Sequence, residues 1–483
     1  MVPRYRSVAV IGTGPSGVSA VRALSDEKVF DTIRVFERRN QSGGLWHYDP
    51  IPDPFPGAAT DGRPGLSKSP AVPANLPQFA PPAPEDLSAR SAVYDTLDSN
   101  VGAELMAFTH MPFPLQNSAA SVERFGSPNP TRPFRVVSRY LQDLLQDYLH
   151  LVSFNTTVEK VEKTDHDRKW TLTLRRSGQL RGGQPLDYWW QEKFDAVVVA
   201  SGHYNVPLIP DIPGLEETAK SRPRALEHSK AFRSADDYVD QRVVVVGASV
   251  SASDLVSDLH AVIRGPLYLS QRGKNEILDS AWNLPNVERK PAIRRIEPDT
   301  ETTVKVTFAD DSTVDKIDKI LFGTGYRLSY PFLTPDPVTF TNRLAGFYQH
   351  IFKISDPSLA VVGQVRGALS FRVYEYQAVA VARYFAGREA KQLPSPVEQE
   401  KWEIKRLEYK GPSSVFHEIK PDLKEYFNYL REFAGPAAPD STAYELPEFD
   451  DKWPELGFSI LQLKDAHWKG IKERHEKQLR SRL

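Results

Sequence analysis

Six residues, Gly12-Thr13-Gly14-Pro15-Ser16-Gly17, stand between the apolar run Ser7 to Ile11 and the helix-patterned run Val18 to Leu24. Glycines at this spacing let a backbone turn tightly and come close to a pyrophosphate, whose oxygens accept from the unpaired N–H groups opening the following helix. The next apolar run, Thr32 to Phe36, ends at Glu37. An acid there can accept from both hydroxyls of a ribose and would repel a 2′-phosphate, so this turn suits FAD or NAD better than NADP.

A second turn, Gly247-Ala248-Ser249-Val250-Ser251-Ala252-Ser253-Asp254, follows the strand pattern Val243 to Val246 and leads into helical patterning over Ser253 to Ile263. Serine replaces the middle glycine and alanine the third, which narrows the approach of the backbone and adds hydroxyl donors. Taken alone, the turn fits either a nucleotide site or a plain strand–helix junction. The strand after it, Leu267 to Ser270, ends without an acid, in Ser270-Gln271-Arg272. An Arg at that place binds a 2′-phosphate through a charge-assisted fork, which predicts NADPH, with Lys274 as the next candidate in the same loop.

Each turn needs a strand before it and a helix after it, so the chain is read as α/β, with two βαβ units. Its 483 residues exceed one ordinary core, and hydrophobic residues at 40% leave ample material for two. Prolines interrupt every helix or ladder between Pro50 and Pro84, which predicts an irregular surface excursion anchored by Phe55, Leu66, Leu76 and Phe79. Arg135 to Leu149 reads as an amphipathic helix, and Lys169 to Leu174 and Asp195 to Ala200 as strands. A further strand runs into Gly323-Thr324-Gly325-Tyr326. Beyond it the patterning is mostly that of polar helices, closing on a solvated helix from His467 to Leu483.

The 61 basic and 62 acidic side chains cancel to a formal charge of -1, without the field that nucleic acid or an anionic membrane requires. No apolar run approaches the length of a membrane span, and a soluble, cytoplasmic protein without membrane anchor is expected. Cysteine is absent, which forbids disulfides, thiolate metal sites and electron transfer through a dithiol. The 11 histidines are scattered, and neither a Ser-His-Asp set nor a metal-ligand cluster is found.

Further segments resemble the flavin-containing monooxygenases, particularly their soluble microbial and fungal branch, over most of the chain. Gly43-Gly44-Leu45-Trp46 is similar to the family's G-G-x-W segment along the flavin, and Tyr94 to Asn100 (Tyr-Asp-Thr-Leu-Asp-Ser-Asn) to its Y-x-x-L-x-T-N element, with Ser99 for threonine. Val197 to Tyr204, Asp318 to Tyr326 and Glu375-Tyr376-Gln377-Ala378 resemble the strands closing the two halves of the flavin domain and an E-x-Q-A helix. The identifying F-x-G-x-x-x-H-x-x-x-F/W sequence is only partly kept. His228 and Phe232 match it, while Arg222 and Arg224 replace its first aromatic and its glycine. Phe232-Arg233, rather than Trp-Pro, points away from the typical Baeyer–Villiger subgroup, and His228 is read as a linker residue.

The resemblance implies two Rossmann-like domains with the NADP domain inserted into the FAD domain: residues 1–205 and 326–483 for FAD, 206–325 for NADP. It implies FAD, NADPH and dioxygen, and oxygenation of a nucleophilic nitrogen or sulfur of a small molecule through a C4a-hydroperoxyflavin. Asn100 matches the asparagine that stabilises that adduct. Gly12, Gly14, Pro15, Ser16, Gly17, Glu37, Gly44, Leu45, Trp46, Ser99 and Val158 are expected around FAD. Gly247, Ser249, Ser251, Ala252, Asp254, Ser270 and Arg272 are expected around NADPH, and Thr324 and Gly325 are expected among the cofactor-binding residues. A Baeyer–Villiger ketone oxygenase and an FAD/NADP-binding protein without oxygenase activity remain as alternatives, and a homodimer is left open.

Overall fold

In the computed structural model, which describes residues 4–56, 69–86, 89–163, 168–273, 275–388 and 390–481, the strongest apolar runs lie at the centres of two sheets. Leu66 and Lys274 lie outside the described residues. The first sheet has seven strands in the spatial order Phe347–Tyr348, Phe352–Lys353, Leu359–Val361, Ala196–Val199, Ser7–Ile11, Thr32–Phe36 and Val152–Ser153. From Leu359–Val361 onward they pair in parallel, with Val10 opposite Val35 on one side and Val198 on the other. Val8, Val10 and Val198 are fully buried. A parallel strand covered on both faces has no polar side to show, which is why these runs are apolar without alternation.

The second sheet is assembled entirely between Leu226 and Phe322, in the order Leu226–His228, Lys319–Phe322, Val243–Val246, Leu267–Ser270 and Val287–Lys290, all parallel. Each sheet thus carries one glycine turn at the carboxyl end of a central strand, where open α/β sheets bind ligands. The chain leaves the first sheet after Val199 and returns at Phe347. Along the way Val206–Pro207 pairs antiparallel with Tyr326–Arg327, a two-stranded ribbon at the crossing. An antiparallel sheet of Gln78–Ala80, Gln184–Phe194, Trp170–Arg181 and Thr156–Glu162 backs the first unit, its Val158, Trp170 and Leu172 packing on Ala9, Ile11 and Phe36.

Three regions differ from the sequence reading. In the described part of the proline-rich excursion Gln78–Ala80 forms a strand where only irregular chain was expected, while Phe55 packs as expected, its ring tilted 37° on Phe322 with centroids 5.7 Å apart. Polar patterning is also a poor description of Phe371–Ala386, which is buried on nearly every face and lies against the first glycine helix, Pro15–Asp26. The closing helix begins earlier than expected and spans Trp453–Arg480, and its Trp468 is only 2% exposed, inside the core of the second unit. Charged residues dominate its last turns, which hid the apolar face of its first half. No described helix is long and apolar enough to cross a membrane.

Two buried histidines from distant segments face each other, His350 Nδ1 and His417 Nδ1 lying 3.1 Å apart. The backbone N–H of Leu344 donates to His417 Nε2 at 3.0 Å, so the His417 proton sits on Nδ1 and is donated to His350. Burial holds His350 well below the ordinary imidazole range and pushes His417 down to about 3, His228 to about 3 and His203 to about 4. These rings stay neutral in the folded chain but take protons below pH ~6.5 once unfolded. Their contribution to stability is therefore complete above that pH and is lost as pH falls toward the folded values. We expect the thermal midpoint to drop between pH 7 and pH 5, each such ring costing about 2 kcal/mol at pH 5. His417→Gln, which keeps an acceptor for Leu344, should make the decline shallower, and a decline of unchanged steepness would assign it to other groups.

Candidate active site

At the first turn, Gly17 lies so close to the strand end that an added Cβ would meet Gly12 O at 2.0 Å, and Gly44 packs on Gly14 in the same way at 2.8 Å. Glu37, 5% exposed, accepts from Thr13 N at 2.9 Å and Thr13 Oγ1 at 2.7 Å through one oxygen, and from Arg39 N at 2.9 Å through the other. The carboxylate therefore holds the turn as well as standing at the ribose position, and Oε1, which accepts only from Arg39 N, keeps lone-pair capacity for a hydroxyl. The helix begins at Pro15 after Gly14, and no side chain caps it. Its first N–H groups are left for a ligand.

The second turn reaches the same arrangement by another route. Gly247 has φ +139°, and a Cβ on it would meet Gly323 O at 2.4 Å. Gly323 in turn faces Ala252, at 3.1 Å from a Cβ it lacks, so a glycine on the neighbouring strand supplies the clearance that the altered motif has lost. Ser249 Oγ donates to Gly323 O at 3.2 Å instead of capping the helix Val250–Leu259, whose N-terminus is again uncapped. Asn275 Nδ2 donates to Ala248 O at 2.9 Å and draws the loop after the second strand over the turn.

Both turns open on one cleft of about 1710 Å³, larger than the few hundred to ~1,000 Å³ that serve one drug-sized ligand. Pro15, Ser16, Leu45, Trp46 and Asn100 line it from one side, and Gly247, Ser249, Ser251, Asp254, Ser270, Arg272, Thr324 and Gly325 from the other. Asn100 is exposed there. Beside it Ser99 is buried, accepting from Arg132 N at 3.0 Å and donating to Val101 O at 3.1 Å, which fixes the loop that presents the asparagine. Gln364 Nε2 is buried in the cleft wall without a partner, a donor that suits an acceptor-rich ring. Uncapped helix ends, clearance for backbone approach and this orphaned donor together fit two dinucleotides.

Several expected contacts are engaged elsewhere. Val158 does not line the cleft and packs in the core behind the first sheet. Ser270 is buried, and its hydroxyl donates to Pro291 O at 2.9 Å, so that proton is not free for a phosphate. Asp254 forms an ion pair with Lys464 at 2.6 Å. Gly12, Gly14, Gly17, Glu37, Gly44, Ser99 and Ala252 shape the cleft from behind its surface.

Other residues hold the site through partners far away in the sequence. Gln377 Oε1 accepts from Gly363 N at 2.8 Å and its Nε2 donates to Tyr426 OH at 2.8 Å, while Glu375 accepts from Thr109 N, Thr109 Oγ1 and Tyr444 OH. The E-x-Q-A helix thus secures the cleft wall. In the partly kept linker sequence, Lys230 pairs with Asp53 at 2.5 Å and donates to Asn205 O at 2.7 Å. Arg233 donates to Asp49 O, Lys230 O, Phe232 O and Ser91 O. Desolvation lowers the affinity of Lys230 for its proton and raises that of Asp53, and their contact opposes both shifts. Only pairing across long sequence separations reveals these roles.

The flavin-binding monooxygenase-like family model matches residues 82–287 and 275–441. The chain belongs to this family of FAD- and NADPH-dependent monooxygenases, which act on small substrates with dioxygen. Flavin-containing monooxygenase FMO GS-OX-like 1 of Arabidopsis thaliana is 31% identical over 394 residues, covering 80% of this chain and 73% of its own. Flavin-containing monooxygenase iboF of Amanita muscaria is 29% identical over 446 residues, covering 79% of each. Among solved structures, S-allyl-L-cysteine S-oxygenase from Allium sativum shares the fold with a TM-score of 0.71 at 24% identity, over 98% of this chain and 99% of that one.

Arg272 is exposed on the cleft wall at the end of the second strand. A charge-assisted hydrogen bond is worth roughly 1.5–3 kcal/mol, so Arg272→Ala should lower kcat/KM for NADPH about tenfold to a hundredfold and leave NADH nearly unchanged. Steady-state kinetics with both coenzymes measure this, and equal losses would place the 2′-phosphate elsewhere. Ser270→Ala should show no coenzyme-selective loss, given its bond to Pro291.

Proposed function

We propose that this chain oxygenates a nucleophilic sulfur or nitrogen of a small molecule, with FAD on the first glycine turn and NADPH on residues 206–325. The observation that carries the reading is Asn100, open to the cleft between the two turns and held by the buried Ser99. When bound, FAD supplies the chemistry, taking electrons from NADPH and activating dioxygen. The chain's own part is to bind, orient and exclude water. Two uncapped helix N-termini hold the pyrophosphates. Leu45, Trp46, Phe371 and Val373 give the cleft an apolar wall, which keeps water from the reacting centre. The Asn100 amide offers donors and an acceptor together, and can hold flavin and nicotinamide in one geometry.

A lone pair on sulfur or on an unprotonated amine needs no base to remove a proton, and the scattered histidines fit that economy. Arg366, hydrogen-bonded to Ser414 Oγ at 2.9 Å, brings a cation into the cleft near His203 and Tyr204. It disfavours a protonated amine and favours a thioether carrying an acid, a preference in keeping with the garlic enzyme named for oxygenating S-allyl-L-cysteine.

The test is product analysis with NADPH in air, offering an acidic thioether, a tertiary amine and a cyclic ketone. We expect sulfoxide above N-oxide and no ester or lactone. An ester or lactone as main product would instead establish a Baeyer–Villiger enzyme. Failure of anaerobic NADPH to bleach the yellow protein would leave only a nucleotide-binding role. Asn100→Ala should keep its flavin yet consume more NADPH per product, releasing hydrogen peroxide. Unchanged coupling would remove Asn100 from the reaction.

A further inference from the structure

The closing helix Trp453–Arg480 runs from one nucleotide unit to the other. On the first unit its Gly457 carbonyl accepts from Gly102 N at 3.1 Å, and a side chain at Gly457 would strike Leu369 at 2.5 Å. On the second unit, Trp468 is buried and its Nε1 donates to Ser257 Oγ at 3.0 Å, while Asp465 accepts from Ser280 Oγ. Residues 457, 461, 464 and 468 recur at helical spacing and share one face. Between the two anchors, Lys464 Nζ meets Asp254 Oδ1 at 2.6 Å, with both side chains partly buried.

Asp254 is out of character for its place. It lies in the helix that starts at the second glycine turn and lines the cleft, where its charge opposes the anion the turn is built to hold. The surrounding charges belong to both units. Arg124 pairs with Asp258 at 3.2 Å, one helical turn beyond Asp254, and Asp98 at the cleft lies within electrostatic reach of Arg124 and Lys464. Three carboxylates thus share two cations, and removal of either cation doubles the formal excess of negative charge at the interface.

We propose that Lys464 is a positioning residue for NADPH: it neutralises Asp254 beside the coenzyme's pyrophosphate and, through the closing helix, fixes the second unit across the cleft from Asn100. The proposal rests on the assignment of NADPH to residues 206–325. It also gives Asp254 a role opposite to that of a coenzyme ligand, since the acid is tolerated there only because a distant segment cancels it.

The experiment measures NADP⁺ affinity by calorimetric titration of the FAD-loaded full chain, together with KM and kcat for NADPH. Lys464→Met should keep flavin content and thermal midpoint near those of the parent, weaken NADP⁺ binding about tenfold and raise KM more than it lowers kcat. Lys464→Arg should restore binding. Asp254→Asn should bind NADP⁺ no more weakly than the parent, and in that background Lys464→Met should cost little further affinity. If Lys464→Met does not fold, Lys464→Gln and the single Asp254→Asn carry the test. The proposal is overturned if Lys464→Met binds NADP⁺ as the parent does, if Asp254→Asn itself loses tenfold, or if Asp254→Asn leaves the Lys464 effect intact. Failure of the underlying assignment is separable: Arg272→Ala would then leave the coenzyme preference unchanged, whereas failure of Lys464 alone would not alter its effect.

Discussion

Backbone N–H groups can grip a pyrophosphate only where no side chain stands between them and the phosphate oxygens, and much of this structure follows from that constraint. At both turns the helix starts without a side-chain cap, so its first donors have no protein partner. Close packing then keeps each turn in place. Gly17 presses on the backbone of Gly12, and Gly247 on that of Gly323, at separations no Cβ would permit. A strand end, a glycine turn and a bare helix start form one unit, and the cleft exists because two such units face each other.

Holding the units face to face falls to segments outside either sheet. The short ribbon of Val206–Pro207 and Tyr326–Arg327 marks where the chain crosses. Lys230 joins Asn205 O, next to that crossing, to Asp53 of the proline-rich excursion, and Arg233 donates to Asp49 O and Ser91 O on the excursion's two flanks. An ion pair taken out of water gains little net energy, but either partner left alone would be costly, so such contacts specify geometry more than they add stability. The closing helix does the same on the opposite side, anchored through Gly457 and Trp468. At 28 residues it is about 42 Å long, enough to reach both units.

Little in the cleft looks like a conventional catalytic constellation, and a flavin enzyme needs little of that kind. The bound cofactors carry the electrons and the oxygen chemistry, leaving the protein to orient them and to keep water away. Asn100, Gln364 and the apolar wall around Trp46 line the cleft where that work would fall. The buried histidines belong to the framework: His417 accepts from Leu344 N and His228 Nδ1 from Lys230 N, each serving a backbone donor.

What the sequence alone determined was local. Strand, turn, helix and the acid or arginine that follows are coded within a few tens of residues, so Ser7–Ile11, Thr32–Phe36, Val243–Val246 and Leu267–Ser270 were legible with their turns, while the choice of FAD for the first came from the family resemblance. Motif resemblance likewise marked Asn100 and the E-x-Q-A helix. Tertiary structure decided whatever depends on partners far apart in the chain. It gave the hydroxyl of Ser270 to Pro291, set Val158 in a core, let Gly323 replace a missing glycine, and brought Lys464 to Asp254. It also turned a helix that reads as solvated into a strap, because one buried tryptophan and one glycine outweigh many exposed charges once the surfaces they pack on are in place. The physical reason is that periodicity records which face of an element is buried, while the identity of the covering surface is fixed only when the chain has closed on itself.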